Sequence, residues 1–228
     1  MEASRLDGVW SEDEALRALW ERSAYDKGVI SNPFSGDAEA GLGLRRTAAL
    51  LDRLGTPQRR YPIVHVAGSK GKGSTCAIAA SILRAAGQRV GLHVSPHLHH
   101  FRERFVVDGQ PIAPDAFGAL TQRVFAAAHR LETDEPELGR LTAFELSTVI
   151  ALAYFAEADC DVAVVEVGMG GLLDATNVVD PAVSAITRLD WEHVAVLGPT
   201  MADIAANKAG IIKPNRPAVS VRQPEEAT

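Results

Sequence analysis

The strongest constraint on the fold is a β-branched run that ends in glycine and lysine. Residues 61–66 read as a strand buried on both faces, and they pass directly into Gly68-Ser69-Lys70-Gly71-Lys72-Gly73-Ser74-Thr75. Residues 76–86, rich in Ala, Ile and Leu and closed by Gly87, continue as a helix. A strand, a glycine loop and a helix in that order suit a phosphate chain. Glycines let backbone N–H groups approach it, and the helix N-terminus adds positive potential. Lys72 would supply a fixed cation, and a hydroxyl at Ser74 or Thr75 would join a magnesium shell. The spacing departs from GxxxxGK[ST], because Gly73 stands where the hydroxyl belongs.

The rest of the chain repeats the alternation. Helical spacing covers 11–23 and 38–54, separated by a turn-rich connector at Asn32-Pro33-Phe34-Ser35-Gly36, and resumes over 114–131 and 201–209. Another helix is predicted over 142–158, opened by Thr142 and Glu145 at capping-box spacing. Short apolar runs at 89–94, 161–167, 183–187 and 218–221 are strand candidates, and Asp108-Gly109 marks a hairpin. The charged stretch 132–140 reads as a loop within one domain. The fold class expected is α/β, a mostly parallel sheet with helices on both faces and ligands at the carboxyl ends of its strands.

Composition narrows the function. The 228 residues, 46% of them hydrophobic, suffice for one domain with a sizeable core, and the net charge of −6 gives no footprint for nucleic acid. Any phosphate must therefore be held locally. Two of the five lysines (Lys27, Lys70, Lys72, Lys208, Lys213) fall in the glycine loop. The first residues carry no signal-peptide run, and no segment approaches the roughly 20 apolar residues of a membrane span, so a cytoplasmic protein is expected. Cys76 and Cys160 read as buried thiols of a reducing compartment.

Four further features carry chemistry. Glu166 interrupts an apolar strand, where a carboxylate costs several kcal/mol unless it is paired or bound to metal. A metal site and an ion pair with an arginine both satisfy that condition. His193 follows the next strand, at the same sheet edge, as either a packing or a functional residue. Lys208, alone, reads as a solvated helix-end lysine. The loop Ser95-Pro96-His97-Leu98-His99-His100 lacks zinc-site spacing, and Arg102 and Arg104 either meet a carboxylate or alternate on a solvent-facing strand.

Taken together, the segments His65 to Thr75, Ser95-Pro96-His97-Leu98, Glu166-Val167-Gly168-Met169-Gly170-Gly171, Leu173-Asp174-Ala175-Thr176-Asn177 and Lys208-Ala209-Gly210-Ile211-Ile212-Lys213-Pro214 resemble the bacterial folylpolyglutamate synthase/dihydrofolate synthase branch of the Mur ligase superfamily. The resemblance implies a P-loop-like central domain of an ATP-dependent amide ligase. Such a ligase phosphorylates the carboxylate of dihydropteroate or folate and lets the amine of L-glutamate displace phosphate. It further implies ATP on the loop with Lys72 at the phosphates, and Mg2+ held by Ser74, Glu166 and His193. Lys208 is implied as a carbamate on a second ion, and Lys72, His193 and Lys208 as the catalytic set. Ser95, Pro96, His97, Phe101, Arg104 and Phe144 are implied near the pterin and its carboxylate, in a monomer.

Several residues depart from the family pattern. Leu172 replaces an arginine, Glu192 an aspartate, Asp190 a small residue, Asn207 a glutamate and Lys70 an asparagine. Members also carry a second, Rossmann-like domain. The expectation is therefore a domain over 1–228, incomplete at its end, holding the ATP and magnesium half of a site and inactive alone. The alternatives are a non-catalytic nucleotide-binding module and a Mur ligase relative with another carboxylate substrate.

Overall fold

The computed structural model describes residues 8–23 and 41–227. The Asn32 to Gly36 connector and the predicted helical residues 38–40 lie outside them. Seven strands form one sheet: β1 (Ile63–Ala67), β2 (Val90–His93), β3 (Val106–Val107), β4 (Gln110–Pro111), β5 (Val162–Glu166), β6 (Val183–Ile186) and β7 (Ala218–Ser220). Their order is β4-β3-β2-β5-β1-β6-β7. The five strands from β2 to β7 are parallel and β3 and β4 add an antiparallel edge. Asp108 and Gly109 turn that hairpin with φ of 51° and 80°, which an Asp-Gly pair tolerates.

Parallel pairing makes opposite faces readable from alternate residues. Val64, Val66, Val90, Leu92, Val162 and Val164 face α3 (Lys72–Ala85), which packs Cys76 and Ala80 onto them. Ile63, Ala163 and Val165 face the main core, built by α1 (Glu12–Glu21), α2 (Leu42–Arg53), α4 (Pro114–Asp134) and α5 (Ala143–Glu157). α6 (Val194–Leu197) and α7 (Met201–Ala209) follow β6. α5 is apolar all round because sheet and helices enclose it, and its capping box at Thr142 and Glu145 is present. Glu145 also takes two bonds from Arg46 of α2, at 2.7 and 3.1 Å, joining the two helices.

The end of α4 and the start of α3 shift from the sequence expectation. α4 runs on to Asp134, so the first three residues of the stretch 132–140 are helical, and Pro136–Leu138 form a 3-10 turn. Glu132, Asp134 and Glu135 are anchored there by Arg22 and Arg53. α3 begins at Lys72 rather than Cys76, so Gly73, Ser74 and Thr75 belong to its first turn. Both thiols are free and buried, as expected.

The core also encloses two histidines. Register places His65 opposite Val165 and Val165 opposite His93, so the two imidazoles flank one valine in a single row. Burial holds His65 down at about 3, helped by the charge of Lys213, and His93 at about 4. Between about pH 4 and 6.5 the unfolded chain binds protons that the folded one excludes, so stability rises with pH there. Two such groups set a slope of at most about 2.7 kcal/mol per pH unit. Glu166 and Asp174, whose carboxyls burial raises, oppose it at the acid end. Denaturant unfolding from pH 6.5 to 5 should show the loss of stability on acidification. His65→Gln combined with His93→Gln should flatten the slope by at least half.

Candidate functional site

The carboxyl ends of β1, β5 and β6 meet at one edge, and the glycine loop leaves β1 there. Gly68 has φ of 145°, and a Cβ on it would stand 1.8 Å from Thr187 Oγ1, so only glycine fits. Ser69 and Lys70 donate their N–H groups to the Arg188 carbonyl at 3.0 and 3.1 Å, and the Ser69 hydroxyl donates to the Asp190 carbonyl. These two residues therefore tie the loop to the segment after β6. Gly71 turns the chain into α3 with φ of 82° and gives it no side-chain cap. Among the described residues the N–H groups of Lys72 and Ser74 have no protein acceptor, which leaves an open helix N-terminus beside the Lys72 ammonium.

Glu166 ends β5 beneath that turn, 4% exposed. Its carboxylate accepts the Ser95 N–H at 2.9 Å and the Gly73 N–H, and it feels the Lys72 charge; burial nevertheless raises its pKa. Among the described residues no arginine pairs with it. The Gly73 N–H turns onto Glu166, and a Cβ there would lie in ordinary contact with Glu166 Oε2 at 3.4 Å, so this contact alone does not require glycine. Ser74 and Thr75 share this first turn, and Ser95 brings a further hydroxyl-bearing residue to the carboxylate. A buried anion beside serines is a hard-oxygen donor set that fits magnesium.

Lys208 is 1% exposed, which corrects the solvated reading. Its Nζ donates to the Gly68 carbonyl at 3.1 Å and to Glu192, and burial lowers its pKa. A loop keeps it enclosed: Leu172 N–H bonds the Asn207 carbonyl at 2.8 Å, and Asn177 Nδ2 donates to the Leu172 and Gly210 carbonyls. Asp174 fixes that loop through the Met169 and Thr176 N–H groups, and Thr176 Oγ1 in turn meets His65 Nε2 at 2.9 Å. His193 is exposed at the start of α6 with φ of 44°. Among the described residues, no three His, Cys, Asp or Glu side chains form a group that could hold a metal. The structure thus brings Glu166, Lys72, Gly73 and Ser95 together, with Ser74 next to Gly73 in the same helical turn, and places Lys208 with Glu192 rather than with Glu166.

Beyond Ser95 and Pro96, Arg104 Nε donates to His97 Nδ1 at 3.1 Å and its guanidinium lies 4.8 Å over the Phe101 ring. Residues Phe101–Arg104 are one 3-10 turn, so Arg102 and Arg104 do not alternate on a strand, and Arg102 pairs with Glu12. Phe144 of α5 packs on the loop after β5, where a Cβ on Gly168 would stand 2.3 Å from its ring. Sequence reasoning missed Glu103, which accepts three N–H groups of the 95–100 loop, and the Glu192 partner of Lys208. Glu103 had a signal in its spacing three residues after His100.

A parallel α/β sheet with a glycine loop, a lysine and a buried carboxylate at its carboxyl edge defines a P-loop type of domain. Residues 66–222 match the Mur ligase middle domain, and the chain belongs to that family. It is 43% identical over 185 residues to the dihydrofolate synthase/folylpolyglutamate synthase of Bacillus subtilis, covering 80% of this chain and 43% of that one. The folylpolyglutamate synthase (FPGS) of Arabidopsis thaliana is 45% identical over 218 residues, covering 95% and 34%. Mycobacterium tuberculosis FPGS complexed with ADP has a TM-score of 0.82 at 36% identity, covering 95% of this chain and 47% of that one. An FPGS–AMPPCP–folate complex has a TM-score of 0.84 at 36% identity, covering 95% and 50%. The chain spans half or less of the length of these relatives. No helix among the described residues is long and apolar enough to cross a membrane.

Removing the Glu192 carboxylate leaves the Lys208 ammonium buried and unpaired. Glu192→Ala should therefore cost about 3 kcal/mol in a denaturant titration, and Lys208→Met in the same chain should restore most of that loss.

Proposed function

We propose that this chain supplies the ATP and magnesium half of a ligase that joins L-glutamate to the carboxylate of dihydropteroate or folate. The observation that carries the reading is the open N-terminus of α3, with Lys72, above the buried Glu166 carboxylate. Phosphoryl transfer asks a protein for positioning and charge neutralisation, and this turn offers N–H groups, a lysine and a carboxylate to hold a cation. Lys72 and the Lys72 and Ser74 N–H groups would hold the phosphates. Glu166, with Ser74 and the Ser95 hydroxyl, would hold magnesium, and His193 would join from the α6 loop. Bound there, magnesium supplies charge neutralisation for the phosphate chain. The kinship to folate-pathway ligases and the AMPPCP–folate neighbour support the substrate class.

The γ-phosphoryl group passes to the substrate carboxylate and ADP leaves. The glutamate amine then attacks the activated carbonyl carbon, phosphate departs and the nitrogen loses a proton. His97, Phe101 and Arg104, on the segment after β2, and Phe144, against the loop after β5, are proposed to seat the pterin and its carboxylate. Lys208 would act from below the loop. Its carbamate form requires Glu192 to turn away, since two anions would then share that enclosed site. Buried thiols suit a reducing compartment, so we place the protein in the cytoplasm, acting as a monomer on small molecules.

Calorimetric titration with AMPPCP, with and without Mg2+, tests the half-site. Binding should be strengthened by Mg2+, lost in Lys72→Ala, and retained with weaker Mg2+ dependence in Ser74→Ala. Equal affinity in all three proteins would remove the loop from the account.

A further inference from the structure

The loop after β2 is held at two points. At its start the Ser95 N–H sits on Glu166 Oε2. At its end one carboxylate, that of Glu103, accepts three successive N–H groups: Leu98 at 2.7 Å on Oε2, and His99 at 3.0 Å and His100 at 2.8 Å on Oε1. Converging N–H groups of this kind form an anion cradle, and here the anion comes from the chain itself. The bonds from Leu98, His100 and His99 hold the Glu103 carboxyl down at about 2. Apolar packing does not hold the tip, because Leu98 is 86% exposed.

The next residue shows what the clamp serves. Arg104 is partly buried and stacked on Phe101, with Nε committed to His97. Among the described residues no carboxylate pairs with it, and burial lowers its pKa. A desolvated guanidinium with donors to spare is a seat for an anionic group, and Glu103 fixes the loop that joins this seat to Glu166.

We propose that Glu103 is a positioning residue of the substrate loop. Its carboxylate fixes 95–100, and so sets the spacing between the Ser95 and Glu166 contact, on the phosphate side, and the His97 and Arg104 pair, on the substrate side. The inference rests on the ligase reading for the identity of the substrate and on the hydrogen bonds alone for the clamp.

The test compares Glu103→Ala and Glu103→Gln with the unaltered chain, by amide hydrogen exchange and by separate titrations with AMPPCP and with folate in the presence of AMPPCP and Mg2+. In Glu103→Ala the amides of 98–100 and of Ser95 should exchange at least about tenfold faster. Folate affinity should fall at least about tenfold while AMPPCP affinity stays within about twofold. Glu103→Gln keeps one acceptor oxygen and should fall between. A general loss of structure would lower both affinities together, so the split is the signature of positioning. Unchanged exchange, or an unchanged folate affinity in Glu103→Ala, overturns the proposal. If the unaltered chain takes up AMPPCP but no folate, the substrate reading fails. Exchange at Ser95 then decides the clamp: acceleration in Glu103→Ala supports it and retained protection refutes it.

Discussion

Everything at the carboxyl edge of the sheet is arranged around one buried carboxylate. Glu166 closes a strand that is otherwise Val-Ala-Val-Val, with β1 and β2 on either side. An unpaired carboxylate there would cost several kcal/mol, and the surrounding structure answers that cost by local means. The Gly73 N–H comes from α3, the Ser95 N–H from the loop after β2, and positive potential from Lys72. Two segments distant in sequence from Glu166 are thus brought to its charge. Neither N–H neutralises it, and burial still raises its pKa; in the proposed function a small cation completes that charge balance.

The same edge shows how the glycine loop is held by the protein's own groups. Ser69 and Lys70 spend their N–H groups on Arg188, the Gly68 carbonyl takes the Lys208 ammonium, and Thr187 leaves no room for a side chain at Gly68. The first residues of the loop thus fix it, and the helical turn is left open. The enclosed Lys208 and Glu192 pair is a second buried charge site beneath the first, and the Asp174, Thr176 and His65 chain braces the loop that covers it.

Much of this was legible in the residues. The strand, loop and helix around Lys72 were visible because periodicity changes from buried strand to helix across a glycine cluster, and Glu166 stood out as a carboxylate in an apolar run. The start of α3 was not legible. Gly73, Ser74 and Thr75 are weak helix formers, and their helical turn depends on a contact with Glu166, 93 positions further on by number. Lys208 was misplaced for a related reason. Its partners lie 16 and 140 residues away, and helix-end lysines ordinarily face water. Of the two readings open for Arg102 and Arg104, the strand alternation fails because Glu103 tightens that segment into a turn, while Arg102 meets the Glu12 carboxylate. Burial in an apolar strand already makes Glu166 a metal candidate, and His193 follows the next strand at the same edge; the family resemblance adds their roles as magnesium ligands. The structure places Glu166 in a fitting setting and leaves His193 exposed.

The central claim is that Glu166 is kept buried in order to bind a cation at the nucleotide. The direct measurement is AMPPCP affinity as a function of Mg2+ concentration for Glu166→Gln beside the unaltered chain. The account predicts that the variant keeps its Mg2+-free affinity, or gains some as a negative charge is removed near the phosphates, and loses the increment that Mg2+ adds. An increment of the same size in both proteins would contradict it and reduce Glu166 to a structural carboxylate.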